Sequence, residues 1–270
     1  MAEVMVLAGD GRRFLLLTGV AVARLTPIFQ ITPFLGGRVM GTVARGALGF
    51  SLAAFLVPWL AAHVPPGEMG AAELAPIIVK EALLGTVFGF LSSLAFSAAS
   101  GVGFLVDNQR GLSMSQASDP LTGEETSILG ALAMETLVMV FIAGGGLVLF
   151  FQAVLTSYYF WPPFSFWPDW SAGPLSELVL GQFGWYLATL LALAAPMLLV
   201  CFLVDFGMGL MNRFAPQLNV FFLAMPVKSA LSLALLTVYW AGMIASLKGG
   251  TLRLPVLWDA LRRAMSPAPG

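Results

Sequence analysis

The chain has 270 residues, 59% of them hydrophobic and 10% charged, with a formal net charge of −1. An average soluble domain carries roughly 25% charged residues, so a soluble fold of this composition would leave much of its outside apolar, a problem that a lipid bilayer removes. The near-neutral charge gives no sign of nucleic-acid binding, and one cysteine with one histidine excludes both a disulfide framework and a Cys/His metal cluster.

Six apolar stretches follow one another, at about residues 14–31, 39–63, 74–106, 128–160, 178–206 and 218–247. A spanning helix needs roughly 20 apolar residues, and the third and fourth stretches are too long for one straight crossing, so they are expected to tilt, kink or extend beyond the bilayer. The first stretch begins like a signal peptide, with Arg12 and Arg13 before Phe14-Leu15-Leu16-Leu17. Arg24, Pro27, Gln30 and Thr32 interrupt it and no small-x-small cleavage site is near, so it reads as an uncleaved helix. Gly85 and Gly89 form a small-xxx-small pair in the third stretch, a spacing that permits close helix approach. Gly144-Gly145-Gly146 is expected in the middle of the fourth helix, and Cys201 as a small buried hydrophobe.

The connections are more particular. Residues 64–73 contain Pro65-Pro66-Gly67 and no Lys or Arg, with His63 beside them as a loop or interface residue. Residues 107–126 form the longest strongly polar stretch, ending in Thr122, Glu124 and Glu125, which match a helix N-terminal capping pattern better than acid–base chemistry. The fourth connection holds Trp161-Pro162-Pro163 and Trp167-Pro168-Asp169-Trp170, tryptophans suited to a membrane–water interface. The fifth connection, residues 207–219, holds Asn212, Arg213, Pro216, Gln217 and Asn219. Arg38, Arg110 and Arg213 place the odd connections in the cytoplasm by the positive-inside rule. The N-terminal Arg pair and the basic tail (Lys248, Arg253, Arg262, Arg263) conflict with a simple six-span serpentine, so one or more segments are expected to cross unconventionally.

Arg24, Arg45, Lys80, Glu81, Glu135, Asp205 and Lys228 lie within or at the edges of apolar runs. A charge at the bilayer centre costs at least about 2.5–3.5 kcal/mol on insertion scales, so these groups face protein or water. Pairing within the bundle or against a partner is the plainer reading, and a proton or ion path the sharper one. Asp205 and Arg213 bracket one turn and are expected to pair there, while Lys80-Glu81 sits near a helix start where solvation is easy. No catalytic constellation, phosphate loop or cofactor motif occurs, so no enzyme activity is expected.

Two polar segments carry a resemblance. The first runs Val106-Asp107-Asn108-Gln109-Arg110-Gly111-Leu112-Ser113-Met114-Ser115, followed by Asp119-Pro120. The second runs from Asp205-Phe206-Gly207 through Asn212-Arg213-Phe214-Ala215-Pro216-Gln217-Leu218-Asn219 to Met225-Pro226-Val227-Lys228. Together with Ser157-Tyr158 and Trp161-Pro162 they resemble the T subunits of the type III secretion export apparatus, the SctT/SpaR/YscT/HrcT/EscT family, homologous to flagellar FliR. The resemblance implies an all-α membrane protein of about six long, partly kinked helices in the bacterial inner membrane. An R-subunit-like portion (about 1–175) would precede an S-subunit-like helical hairpin (about 176–250) and a basic tail (251–270). It implies a single-copy, non-enzymatic component of the export gate that completes a ring with R and S subunits, with U and V subunits nearby. Unfolded protein substrates would pass through, driven by a partner ATPase and the proton motive force. On that mapping Gln109, Leu112 and Met114 are pore or constriction candidates. Asn212, Arg213, Pro216, Gln217 and Asn219 form a cytoplasmic hairpin tip that docks a partner, and Glu135, Asp205 and Lys228 are intramembrane charges. The alternative is a small-solute secondary transporter with Glu135, Asp205 and Arg213 in its binding site, although no internal repeat of the kind common there is visible.

The charge count makes one direct prediction. In a Cys201→Ala background, a cysteine replacing Gln217 is expected to resist a membrane-impermeant thiol reagent applied from the periplasmic side. Labelling from that side would reverse the orientation.

Overall fold

The computed structural model describes residues 2–36, 39–64, 71–111, 127–165, 175–215, 217 and 219–251. Among them there is no strand. Seven α-helices follow in order: α1 (Ala2–Ile31), α2 (Thr42–Ala62), α3 (Ala71–Gln109), α4 (Ile128–Ala143), α5 (Gly146–Phe160), α6 (Leu175–Phe214) and α7 (Val220–Thr251), with a 3₁₀ turn at Pro33–Leu35. Five helices are long and apolar enough to cross a membrane, or six spans if the broken pair α4–α5 counts as one. At 1.5 Å per residue α3 and α6 are each about 60 Å long, roughly twice a hydrocarbon core.

Helix boundaries follow local chemistry. Helix α3 ends at Gln109, and Gly111 just beyond it has φ +83°, the left-handed conformation glycine adopts without penalty. Ser127 caps α4, its hydroxyl accepting from the Gly130 N–H. Where a continuous fourth helix was expected, the chain turns sharply at Gly144–Gly145, and Gly145 has φ +76°. Three consecutive glycines forfeit helix propensity and free the backbone to turn. Helix α6 runs through the first part of the expected fifth connection, carrying Gly207 and Gly209, and stops at Phe214. The residue after it, Ala215, precedes Pro216, and a residue before proline is disfavoured in the helical region.

The helices fall into two compact units. The first holds α1, α2, α3 as far as Ser93, and α5. Helices α1 and α2 are antiparallel: Arg13 donates to the Ala61 carbonyl (3.4 Å) at one end, and Gly49 faces the Phe29 ring at the other. Helix α5 lies along α1, with Phe150 edge-on to Phe34 (4.8 Å) and the Tyr158 hydroxyl donating to the Ala21 carbonyl (2.8 Å). Helix α3 crosses α1 at Gly85 and Gly89. A Cβ at Gly85 would run into the Arg24 carbonyl oxygen, and one at Gly89 would lie 3.1 Å from Ile28 Cα.

The second unit holds α3 from Leu94, α4, α6 from Leu180, and α7. Its core joins Val106, Leu129, Met197 and Leu236. Helices α3 and α4 meet backbone to backbone, since a Cβ at Gly103 would collide with Gly130 and Leu129. Helices α6 and α7 form an antiparallel hairpin, with Cys201 against Ser232 (3.1 Å), Asp205 paired with Lys228, and the Trp185 ring over Gly250.

Gly85→Ala is expected to lower stability in detergent by about 1–3 kcal/mol, because its methyl group meets backbone that cannot rotate away. Gly19→Ala, where no atom lies within 4 Å of the added carbon, is expected to be neutral or slightly stabilising through helix propensity. Thermal unfolding monitored by size exclusion compares the two, and equal effects would refute the crossing.

Candidate functional site

In the first unit Arg24, Lys80 and Glu81 converge, while Arg45 on α2 takes no part. Arg24 on α1 is fully buried, as is Glu81 on α3. Arg24 Nε donates to Glu81 Oε2 (2.6 Å) and one terminal nitrogen to Glu81 Oε1 (2.9 Å), a bidentate pair. Two further donors reach the Ser157 hydroxyl (3.2 Å) and the Trp161 carbonyl (2.8 Å), and the guanidinium lies 4.2 Å from the centre of the Tyr158 ring. Lys80, next to Glu81 in sequence, points to the turn after α5. Its Nζ donates to the carbonyls of Pro163 (2.6 Å), Ser165 (2.8 Å) and Pro162 (3.3 Å), and lies 3.1 Å from Glu81 Oε1.

The turn has carbonyls to offer because a helix end leaves its last carbonyls unpaired and the two prolines lack an N–H to close a further turn. Two cations meet one carboxylate here, and the surplus positive charge is spread over carbonyl dipoles. Lys80-Glu81 is therefore not a solvated helix start, as expected from its place in the third stretch. It is the floor of a buried ion cluster. Trp161 is buried, and its indole nitrogen donates to the Ser165 carbonyl (3.1 Å).

In the second unit the two particular sequence segments meet. Asp107 Oδ1 accepts from Arg110 Nε (2.9 Å) and Nη2 (2.5 Å), while Oδ2 accepts from the Ser127 hydroxyl (2.6 Å) and the Leu129 N–H (3.1 Å). One carboxylate thus ties the end of α3 to the start of α4, at both roots of residues 112–126. Lys228 on α7 donates to the Gln109 carbonyl (3.0 Å) and is paired with Asp205 on α6 (2.8 Å). Met225 packs on Gly111. Asp205 therefore pairs with Lys228 and not with Arg213, because α6 continues as helix and carries Arg213 more than two turns further on.

Of the pore candidates, Gln109 is exposed at the end of α3, while Leu112 and Met114 lie outside the described residues. At the α6–α7 connection Asn212, Arg213, Gln217 and Asn219 are exposed, and Pro216 lies outside the described residues. Thr122, Glu124, Glu125, Trp167 and Trp170 also lie outside them. Glu135 is exposed on α4. Among the described residues Asp205 is paired with Lys228, and neither Glu135 nor Arg213 shares a hydrogen bond or ion pair with it or with the other. Among those residues no group of His, Cys, Asp and Glu is placed to hold a metal ion.

Residues 15–253 match the model of the family described as bacterial export proteins, family 1. The chain belongs to that family. It is 38% identical over 235 residues to the Yop proteins translocation protein T of Yersinia pestis, covering 87% of this chain and 89% of that one. It is 29% identical over 222 residues to the surface presentation of antigens protein SpaR of Salmonella typhimurium, 82% of each chain. It is 24% identical over 215 residues to the flagellar biosynthetic protein FliR of Bacillus subtilis, 80% of this chain and 82% of that one. With its long apolar helices it is a multi-pass inner-membrane protein of type III protein export, and its relatives are components of secretion or flagellar apparatus.

Sequence reasoning marked every charge in these clusters but missed the Arg24–Glu81 pair. The two are 57 positions apart, and the only signal was indirect: Glu81, Gly85 and Gly89 recur every four residues, so the carboxylate shares a helix face with the small-residue pair.

Removing one partner of a buried pair costs about 3–5 kcal/mol, whereas replacing both by apolar side chains is often neutral. Glu81→Ala is therefore expected to collapse the detergent stability and membrane level of the protein, and Arg24→Met/Glu81→Met to recover much of the loss. A double variant no better than Glu81→Ala would show that the pair is not the source.

Proposed function

We propose that this chain is the T subunit of a type III export gate, present in single copy and completing a ring with R and S subunits. Unfolded protein substrates cross the inner membrane through the channel so formed, and the U and V subunits dock nearby. The observation that carries this reading is the match over most of the chain to a translocation protein T, whose length the chain also shares. The buried ion pairs suit a structural role, since Arg24–Glu81 and Asp205–Lys228 each tie two helices together. On this reading the chain is not an enzyme, and energy comes from partner subunits.

Residues up to about 175 form the R-like portion, and α6–α7 the S-like hairpin before the basic tail. Gln109, Leu112 and Met114 belong to the constriction side. A constriction must seal without gripping one sequence, and flexible Met side chains repack around varied chains. The hairpin tip, with Asn212, Arg213, Pro216, Gln217 and Asn219, docks the U subunit from the cytoplasm. Two features favour that role. Arg213 is exposed in the last turn of α6 with its planar donors unengaged by any described residue. Lys228, a little beyond the tip on α7, donates to the Gln109 carbonyl, so a hydrogen bond joins the hairpin to the end of α3.

Arg213→Ala is expected to leave the R–S–T core assembled while reducing secretion, and a photo-crosslinker at Gln217 to capture the U subunit. Normal secretion by Arg213→Ala together with no crosslink at Gln217 would return the tip to an ordinary turn.

A further inference from the structure

Helix α4 carries a carboxylate on an otherwise apolar outer face. Ile128, Leu132, Met139 and Ile142 are 62%, 50%, 73% and 41% exposed, and Glu135 is exposed between them. Steps of four, three, four and three residues put all five on one side of a helix. The other side, with Leu129, Ala133, Leu137 and Phe141, is buried within its own unit. Glu135 has no hydrogen bond or ion pair among the described residues. Arg24, Glu81, Lys80, Asp205 and Lys228, by contrast, are all paired within their own units.

Three environments can cover such a face. Lipid tails offer the carboxylate no donor. Glu135 sits near the middle of a 16-residue helix, about 10 Å of rise from either end, which its short side chain cannot span to reach headgroups. Water suits the carboxylate but not its four large apolar neighbours, and the adjacent Thr136 already spends its hydroxyl on the Leu132 carbonyl (2.7 Å). A protein helix satisfies both, provided that it brings apolar side chains and one cation. A second copy of this chain docked symmetrically by the same face would oppose Glu135 to Glu135, a like-charge contact.

We propose that the Ile128–Ile142 face of α4 is the docking surface for a transmembrane helix of a different protein chain, which presents a Lys or Arg side chain to Glu135. The pairing sets register, since sliding the partner by one turn would leave both charges unpaired in the membrane. This goes beyond the export-gate reading and does not rest on it, requiring only that α4 is embedded in a bilayer.

The test uses the full-length protein in its native membranes, with a photo-crosslinking amino acid at Met139 and the captured peptide mapped by mass spectrometry. The expected capture is an apolar helix of another chain with Lys or Arg within one turn of the crosslinked position. Glu135→Lys should lower the yield by about tenfold or more, and exchanging the partner's basic residue for Glu should restore it. Where Glu135→Lys does not accumulate, Glu135→Gln decides, with an expected loss of about threefold or more at unchanged protein level. Capture of lipid alone, of a second copy, or of a helix without a basic residue overturns the proposal. So does an undiminished yield in whichever of these variants accumulates, or labelling of Glu135→Cys (in Cys201→Ala) by a water-soluble thiol reagent. Secretion is not a readout, so these outcomes stand apart from success or failure of the export assignment.

Discussion

A guanidinium with no exposure governs the first unit. Arg24 brings five N–H donors into a set of apolar helices, and in a bilayer none of them can turn to solvent. Glu81 satisfies the fork with two bonds, and the remaining acceptors come from the end of α5 and the turn beyond it. The same residue sets the spacing of α1 and α3. Its side chain reaches Glu81 while its backbone lies against Gly85, one turn further along α3. Ion pair and close crossing are thus one feature: Glu81 takes the charge, Gly85 admits the backbone, and Gly89 continues the contact along Pro27 and Ile28. Lys80 extends the arrangement to the Trp161–Ser165 turn, donating to the Pro163 and Ser165 carbonyls.

The second unit repeats the device with the parts moved to helix ends. Gly103, Asp107 and Gly111 again recur every four residues, the last just beyond the end of α3. Gly103 admits the α4 backbone, Asp107 caps the entry to α4, and Gly111 turns the chain out of the helix beneath Met225. Polar groups gather where helices end because unpaired backbone groups gather there too. Lys228 answers one such group, the Gln109 carbonyl, and its charge is balanced by Asp205 across the α6–α7 hairpin.

These arrangements bear on export in a specific way. A membrane protein of protein export gains from a frame fixed at such points. The ion clusters sit at the roots of the polar connections, the Trp161–Ser165 turn in one unit and residues 112–126 in the other. Each root is fixed by bonds from two helices.

Composition and apolar run length were enough to determine a multi-pass all-α protein, because only a bilayer tolerates so few charges over so many apolar residues. The two polar segments were enough to indicate the export family. The charges requiring partners were equally legible, since an ionisable residue in an apolar run is costly wherever it points. Partner choice was not legible. Asp205 was expected to meet the nearby Arg213 and instead meets Lys228. Glu81 was expected near solvent and is instead sealed against Arg24. The Gly144–Gly145 break and the length of α6 were also decided by three dimensions, because glycine is compatible with helix interior and with turn alike. Sequence records which groups are expensive to bury, and only the packing of distant helices settles which of them are brought within 3 Å to share the cost.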